Sequence, residues 1–223
     1  MPILIADSGA TKCEWCLVGP RTKQTWFTQG MSPYFLNSQQ MEELLRKELL
    51  PNLTRKMPDE IHFYGTGNKD PKNARQTKNV LKKVFPGALV TVNHDLMAAA
   101  HALCQQEPGI ACILGTGSNS CSYNGKKILR NSPGLGYALG DEGSGAYLGK
   151  KVIQHYLYDV FDDELREKFN KKYRTDAAEI LENVYKKPLP NRYLAAFAIF
   201  LGENRGHYMI ENIIEDGLND FFY

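Results

Sequence analysis

Four short stretches of the chain carry residue types suited to chemistry on a charged substrate. The first is Asp7-Ser8-Gly9-Ala10-Thr11-Lys12, which follows the apolar run Ile3-Leu4-Ile5-Ala6. A turn between two strands offers backbone N–H groups as a small anion nest, and glycine lets the backbone come close to a phosphate. Asp7, ending the first strand, would add a carboxylate for Mg²⁺, which takes a few carboxylates, water and phosphate oxygens. Thr11 and Lys12 could donate to phosphate. Taken alone, a strand, a glycine turn and a strand make an ordinary hairpin more often than a site.

The second stretch is Asn93-His94-Asp95. Asp95 follows a strand end and opens a helix, where a plain N-cap role explains an aspartate well. His94 reads as a satisfied local histidine and His101 as a packing residue. The third stretch is Gly115-Thr116-Gly117-Ser118-Asn119, again a glycine turn after an apolar strand. The fourth, Gly140-Asp141-Glu142-Gly143-Ser144-Gly145, places two acids in a glycine-flanked loop at a helix start. Such loops expose backbone to ligands, although acids at helix starts are common for dipole reasons alone.

Competing signatures fail on spacing. Gly115-x-Gly117 has Ser120 where a dinucleotide fingerprint needs its third glycine, and a strand rather than a helix follows. Gly145 and Gly149-Lys150 are one residue too close for a P-loop, with Lys151 in the Ser/Thr place. Cys13 and Cys16 form a C-x-x-C, but in a strand such residues face opposite sides and the two sulfurs diverge.

The elements that must position these residues alternate between strand and helix. Strands are predicted at 3–6, 13–18, 24–28, 61–64 and 89–92, with helices over 39–50, 71–84 and from Asp95 through Cys104. Pro51 supplies a stop for the first helix and Pro71 a start for the second. The pattern restarts near residue 110: a strand over 110–114, the third stretch, a strand over 119–123, and Asn124-Gly125 as a two-residue hairpin turn leading to a return strand over 126–129. Residues 3–18 and 111–124 thus share one plan. Beyond the glycine-rich segment 134–145, helices are predicted over 144–159, 163–171, 175–185, 190–201 and 205–220. Alternation of this kind implies an α/β layer. The domains are read as 1–109 and 110–223, with the boundary at Pro108-Gly109.

Bulk properties narrow the function classes. The chain has 223 residues, 43% hydrophobic and 23% charged, with 27 basic against 25 acidic residues and a net charge of +2. That balance argues against a dedicated nucleic-acid binder, which concentrates basic excess. No window approaches the roughly 20 apolar residues of a membrane span, and the first residues carry no leader pattern, so a cytoplasmic location is expected. Five cysteines, an odd number, fit a reducing compartment.

In combination, the four stretches resemble the N-acetylglucosamine kinase group of the BadF/BadG/BcrA/BcrD ATPase family, within the actin/hexokinase/acetate kinase superfamily. The resemblance covers nearly the whole chain. It implies two ribonuclease H-like lobes with an interlobe cleft and a helical elaboration in the second lobe. It implies ATP and Mg²⁺ as cofactors and a small sugar as substrate, with no nucleic-acid or membrane partner and a homodimer left open. Asp7 would position Mg²⁺. Ser8, Gly9, Ala10, Thr11 and Lys12 would form the first phosphate loop, and Gly115, Thr116, Gly117 and Ser118 the second. Asp95 would be the general base that takes the proton of the attacking sugar hydroxyl, with Thr116, Asn119 and Asp141 holding the sugar.

Two departures accompany the resemblance. The family's sugar-binding asparagine is absent from the loop Gly30-Met31-Ser32-Pro33-Tyr34, which leaves the amino sugar open. The family's adenosine-binding segment lies beyond the helical region, so the second lobe is expected to be incomplete at its C-terminus. Alternative readings are an ATP-driven activator of a reductive dehydratase or reductase and a non-catalytic sugar-sensing actin-like protein.

Overall fold

The computed structural model describes residues 1–9, 12–53, 57–132 and 134–223. The chain divides into two compact units, Met1–Gly109 with Tyr123–Ile128, and Ile110–Ser122 with Leu129–Tyr223.

The first unit is built on a five-stranded sheet in the order β3-β2-β1-β4-β5. Its strands are β1 (Ile3–Ser8), β2 (Lys12–Gly19), β3 (Thr22–Gln29), β4 (Glu60–Gly65) and β5 (Leu89–Asn93). The β1–β2 and β2–β3 pairs are antiparallel, whereas β4 runs parallel to β1 and to β5. Alternation along β1 turns Leu4, Ala6 and Ser8 inward and leaves Ile5, Asp7 and Gly9 outward. Cys13 is buried and Cys16 only half-buried on the opposite face of β2, so the C-x-x-C sulfurs do diverge.

Helix α1 (Ser38–Leu44) starts with a capping box between Asn37 and Gln40. The single helix expected over 39–50 instead continues as a π-helical turn, Leu45–Leu49, and a 3₁₀ turn, Leu50–Asn52. Pro51 has no N–H to continue an α-helix. The Leu50 N–H reaches back five residues to Leu45 O, and the Asn52 side-chain Nδ2 donates to Glu48 O at 2.7 Å. Helix α2 (Pro71–Val84) is capped by Asp70, whose carboxylate accepts from Lys72 N. Its buried Thr77, Val80, Leu81 and Val84 follow helical spacing and join Leu4, Trp15, Met41, Ile61 and Phe63 in the core. Helix α3 (Asp95–Cys104) follows β5 after one residue.

Strands β6 (Pro108–Leu114), β7 (Ser118–Asn124) and β8 (Ile128–Ser132) form a second sheet in that order. The hairpin turn lies one residue later than the Asn124-Gly125 dipeptide predicts, and the return strand starts at Ile128 rather than Lys126. Gly125 takes the positive φ of +88°, while the Asn124 side chain accepts from the Lys126 and Lys127 amides at 3.0 and 2.9 Å. An asparagine that can bond the following backbone serves the turn from its edge.

The rest of the second unit is helical: α4 (Gly136–Leu139), α5 (Gly145–Leu157), α6 (Asp163–Tyr173), α7 (Ala177–Tyr185), α8 (Pro190–Ala196), α9 (Ile199–Glu203) and α10 (Tyr208–Phe222). The helix predicted over 190–201 is therefore two, and α4 is an extra turn within a segment read as loop. The core here comes from the helices, with Phe169 packed against Tyr156, Phe161, Tyr173, Phe197 and Phe200. Among the described residues no helix is long and apolar enough to cross a membrane.

Candidate functional site

Each unit holds its own set of candidate residues. In the first, the hairpin after β1 closes through the Gly9 N–H, which donates to Lys12 O at 2.9 Å. Ala10 and Thr11 lie outside the described residues. Ser8 is fully buried, and its hydroxyl accepts from Met31 N at 2.8 Å. That side chain anchors the turn from below and is not directed at a ligand. Lys12 is exposed, and its ammonium stands 3.7 Å from the centre of the Phe27 ring, within cation–π range.

Asp7 projects from the exposed face of β1, paired in register with Glu14 on one side and Tyr64 on the other. Its carboxyl is held above the usual range, first by partial burial, then by the charges of Asp95 and Glu14. Asp7, Asp95 and Glu14 thus repel one another, but among the described residues no group of three or more His, Cys, Asp or Glu is placed to hold a metal ion. Cys13, opposite Ser8 in the hairpin, has its thiol pushed up to about 12, chiefly by burial.

Asp95 is not the cap of α3. That position belongs to His94, and Asp95 is the first helical residue. Its Oδ1 accepts from Leu96 N at 2.8 Å and its Oδ2 from the Thr66 hydroxyl at 3.1 Å. The side chain remains 41% exposed, enough to reach a ligand. His94 lies 4.0 Å from Asp95 Oδ1, and desolvation lowers its pKa more than the charge of Asp95 raises it. His101, expected only to pack, also bonds the Tyr64 hydroxyl through Nδ1 at 2.9 Å.

In the second unit, the turn after β6 closes with the Gly115 N–H donating to Gly117 O at 2.9 Å. Its carbonyls are used as well: Gly115 O accepts from Gly145 N at 2.8 Å and Thr116 O from Ala146 N at 3.0 Å. The Ser144 hydroxyl accepts from Tyr147 N at 3.1 Å. Three first-turn amides of α5 are thus consumed in holding the glycine turn and the cap. The helix start positions the loop rather than presenting free amides to an anion.

Asp141 takes a left-handed φ of +59° and brings its carboxylate against Gly117. A Cβ at Gly117 would lie 2.8 Å from Asp141 Oδ2, so glycine is required for this approach. Asn119 and Asp141 share a small polar cavity of about 50 Å³ with Ser118, Ser120, Ser132 and Glu142. Asn119 Oδ1 is occupied by Asn131 Nδ2 at 2.6 Å and Ser120 N at 2.9 Å.

No family model matches the chain, and no curated protein sequence does. Two putative N-acetylglucosamine kinases of known structure do resemble it. That of Porphyromonas gingivalis is 38% identical with a TM-score of 0.91, matched over 98% of this chain and 78% of its own. The chain belongs to the N-acetylglucosamine kinase group of the actin-like ATPases. The Chromobacterium violaceum protein shares the fold at 18% identity and a TM-score of 0.66, over 98% and 80% of the two chains. A non-polymerising MamK mutant bound to AMPPNP shares it more distantly, at 9% identity and a TM-score of 0.52.

Within this kinase the structure gathers Asp7, Ser8, Gly9, Lys12 and Asp95 in the first unit, and Gly115, Thr116, Gly117, Ser118, Asn119 and Asp141 in the second. Reading the sequence passes over Asn131 and the role of Thr66, and gives Glu142 only as a loop acid. Thr66 had a visible signal, its place in Gly65-Thr66-Gly67 at a strand end, but its partner lies 29 residues away.

Proposed function

We propose that the protein phosphorylates an amino sugar at the expense of ATP, with N-acetylglucosamine as the first substrate to test. One observation carries the mechanism: a half-exposed carboxylate, Asp95, fixed at both oxygens by Leu96 N and the Thr66 hydroxyl. Phosphoryl transfer needs positioning and charge neutralisation more than covalent chemistry, with a carboxylate orienting the nucleophile. Asp95 accepts the proton of the sugar hydroxyl as its oxygen bonds to the γ-phosphorus and the bond to the ADP oxygen breaks.

The remaining residues bind and orient. Asp7 would be the carboxylate for Mg²⁺, which would supply charge neutralisation on the phosphate oxygens. The exposed Lys12 ammonium, at the hairpin of Ser8 and Gly9, is assigned to phosphate. Gly115, Thr116, Gly117 and Ser118 form the second phosphate turn, and its glycines let the backbone approach closely. Thr116, Asn119 and Asp141 take sugar hydroxyls or the acetamido group. With Asn119 Oδ1 occupied by protein donors, its Nδ2 is the end offered to a ligand acceptor.

Steady-state ADP release with a panel of hexoses and hexosamines tests this reading. Asp95→Asn should lower kcat by about 10²- to 10⁴-fold, the usual contribution of a general base. Full turnover in Asp95→Asn, or no sugar raising ADP release above background, would overturn it.

A further inference from the structure

We infer that Thr66 is the positioning residue for the Asp95 carboxylate, an inference that rests on the proposed role of Asp95 as base. The turn after β4 is unusually well fixed for so short a segment. Thr66 N donates to Ser8 O at 2.9 Å, which ties the turn to the end of β1. The carbonyls of three consecutive residues are each taken by a side-chain donor: Gly65 O by Asn68 Nδ2 at 3.0 Å, Thr66 O by the Ser32 hydroxyl at 3.2 Å, and Gly67 O by Asn73 Nδ2 at 3.1 Å. Asn68 is itself held by the Thr77 hydroxyl at 2.9 Å.

Ser32, Asn68 and Thr77 are buried polar residues, at 0%, 4% and 0% exposure. Burying polar groups is costly unless every partner is supplied, and a satisfied network rigidifies its surroundings. What this network presents to its neighbour α3 is the Thr66 hydroxyl on Asp95 Oδ2. The terminal torsion of an aspartate is otherwise broad. Leu96 N restrains one oxygen and Thr66 the other, so the pair together sets the plane of the carboxylate. Since Thr66 N also bonds Ser8 O, the same residue registers Asp95 against the hairpin that carries Asp7 and Lys12.

The experiment is kinetic. Thr66→Val keeps the shape and removes the donor. Its kcat should fall by about 10- to 100-fold, the scale of a small misplacement of a reacting group, with the sugar KM within about threefold of wild type. Thr66→Ser should restore kcat to within about threefold, because the hydroxyl returns. Thr66→Val should add no loss to Asp95→Asn, as expected of two residues acting as one unit. Thr66→Ala supplies the same test should the valine variant not fold. A Thr66→Val or Thr66→Ala kcat within about twofold of wild type, or a serine variant as impaired as valine, overturns the inference. If Asp95→Asn is inactive while Thr66→Val is unimpaired, only the positioning role fails. If Asp95→Asn is fully active, the base assignment itself has failed.

Discussion

The two glycine turns follow one plan in sequence, yet they are held in different ways. The hairpin between β1 and β2 is supported from below by a side chain, the buried Ser8 hydroxyl on Met31 N. The turn after β6 is supported by backbone alone, its two carbonyls bonded to the first amides of α5. Similar loops can therefore have different weak points. The first is vulnerable to removal of a hydroxyl, the second to addition of a methyl group. The first also lies beside the carboxylates Asp7, Asp95 and Glu14, and the second beside Asp141, pressed onto glycine, with Glu142 in the same small cavity.

The largest effect should follow from crowding the second turn. In Gly117→Ala the new methyl meets the end of the Asp141 side chain, which moves at little cost to stability. On the proposed sugar-binding role of Asp141, the substitution should instead raise the sugar KM by roughly tenfold or more, about 1.4 kcal/mol or above. Unchanged KM would show that Asp141 does not touch the sugar, and a collapsed unfolding midpoint would show that the turn itself depends on this glycine.

A comparable effect should follow from loss of the buried anchor in the first turn. Ser8→Ala leaves the fully buried Met31 without its amide partner. An orphaned buried donor costs about 1–3 kcal/mol, to be read as a lower urea midpoint at constant slope. A midpoint equal to wild type would mean that the turn is held by backbone, like its counterpart, and would erase the contrast.

The smallest effect concerns Asp7. Its folded pKa is raised by burial, Asp95 and Glu14, so ionisation is less favourable in the folded than in the unfolded chain. The penalty is absent at low pH, where both states are protonated, and appears as pH rises past the ordinary carboxylate range near about 4. Asp7→Asn should therefore be slightly more stable than wild type at about pH 7 and indistinguishable from it at about pH 3. The gain should stay below about 1 kcal/mol because the site is exposed. A loss of stability at neutral pH would mean that Asp7 makes a favourable contact that outweighs the repulsion.

What could be read from the sequence follows a physical division. Helix α2 was legible to the residue because Pro71 at its start and the spacing of its apolar residues are local signals. The strands flanking both turns were legible from short apolar runs ending in glycine. The π-helical turn at Leu45–Leu49 was not, because its apolar spacing is the same as that of an α-helix. The role of Asp95 was split: its position at a helix start was visible, but whether it caps the helix or opens it depends on one residue of backbone geometry. Asn131 carries no local signal, and the glycine-flanked place of Thr66 does not reveal its partner, since each acts on a residue brought close only by the fold.

The burial of Cys13 has a chemical consequence. The thiolate, not the thiol, attacks disulfides, alkylating agents and peroxides. With its pKa pushed up to about 12, this sulfur is almost wholly protonated at neutral pH, although its strand partner Ser8 supports the hairpin between β1 and β2. A cysteine so close to the turn is therefore an inert packing atom under mild oxidants. Its small volume fills the space beneath the hairpin without making the turn a redox liability.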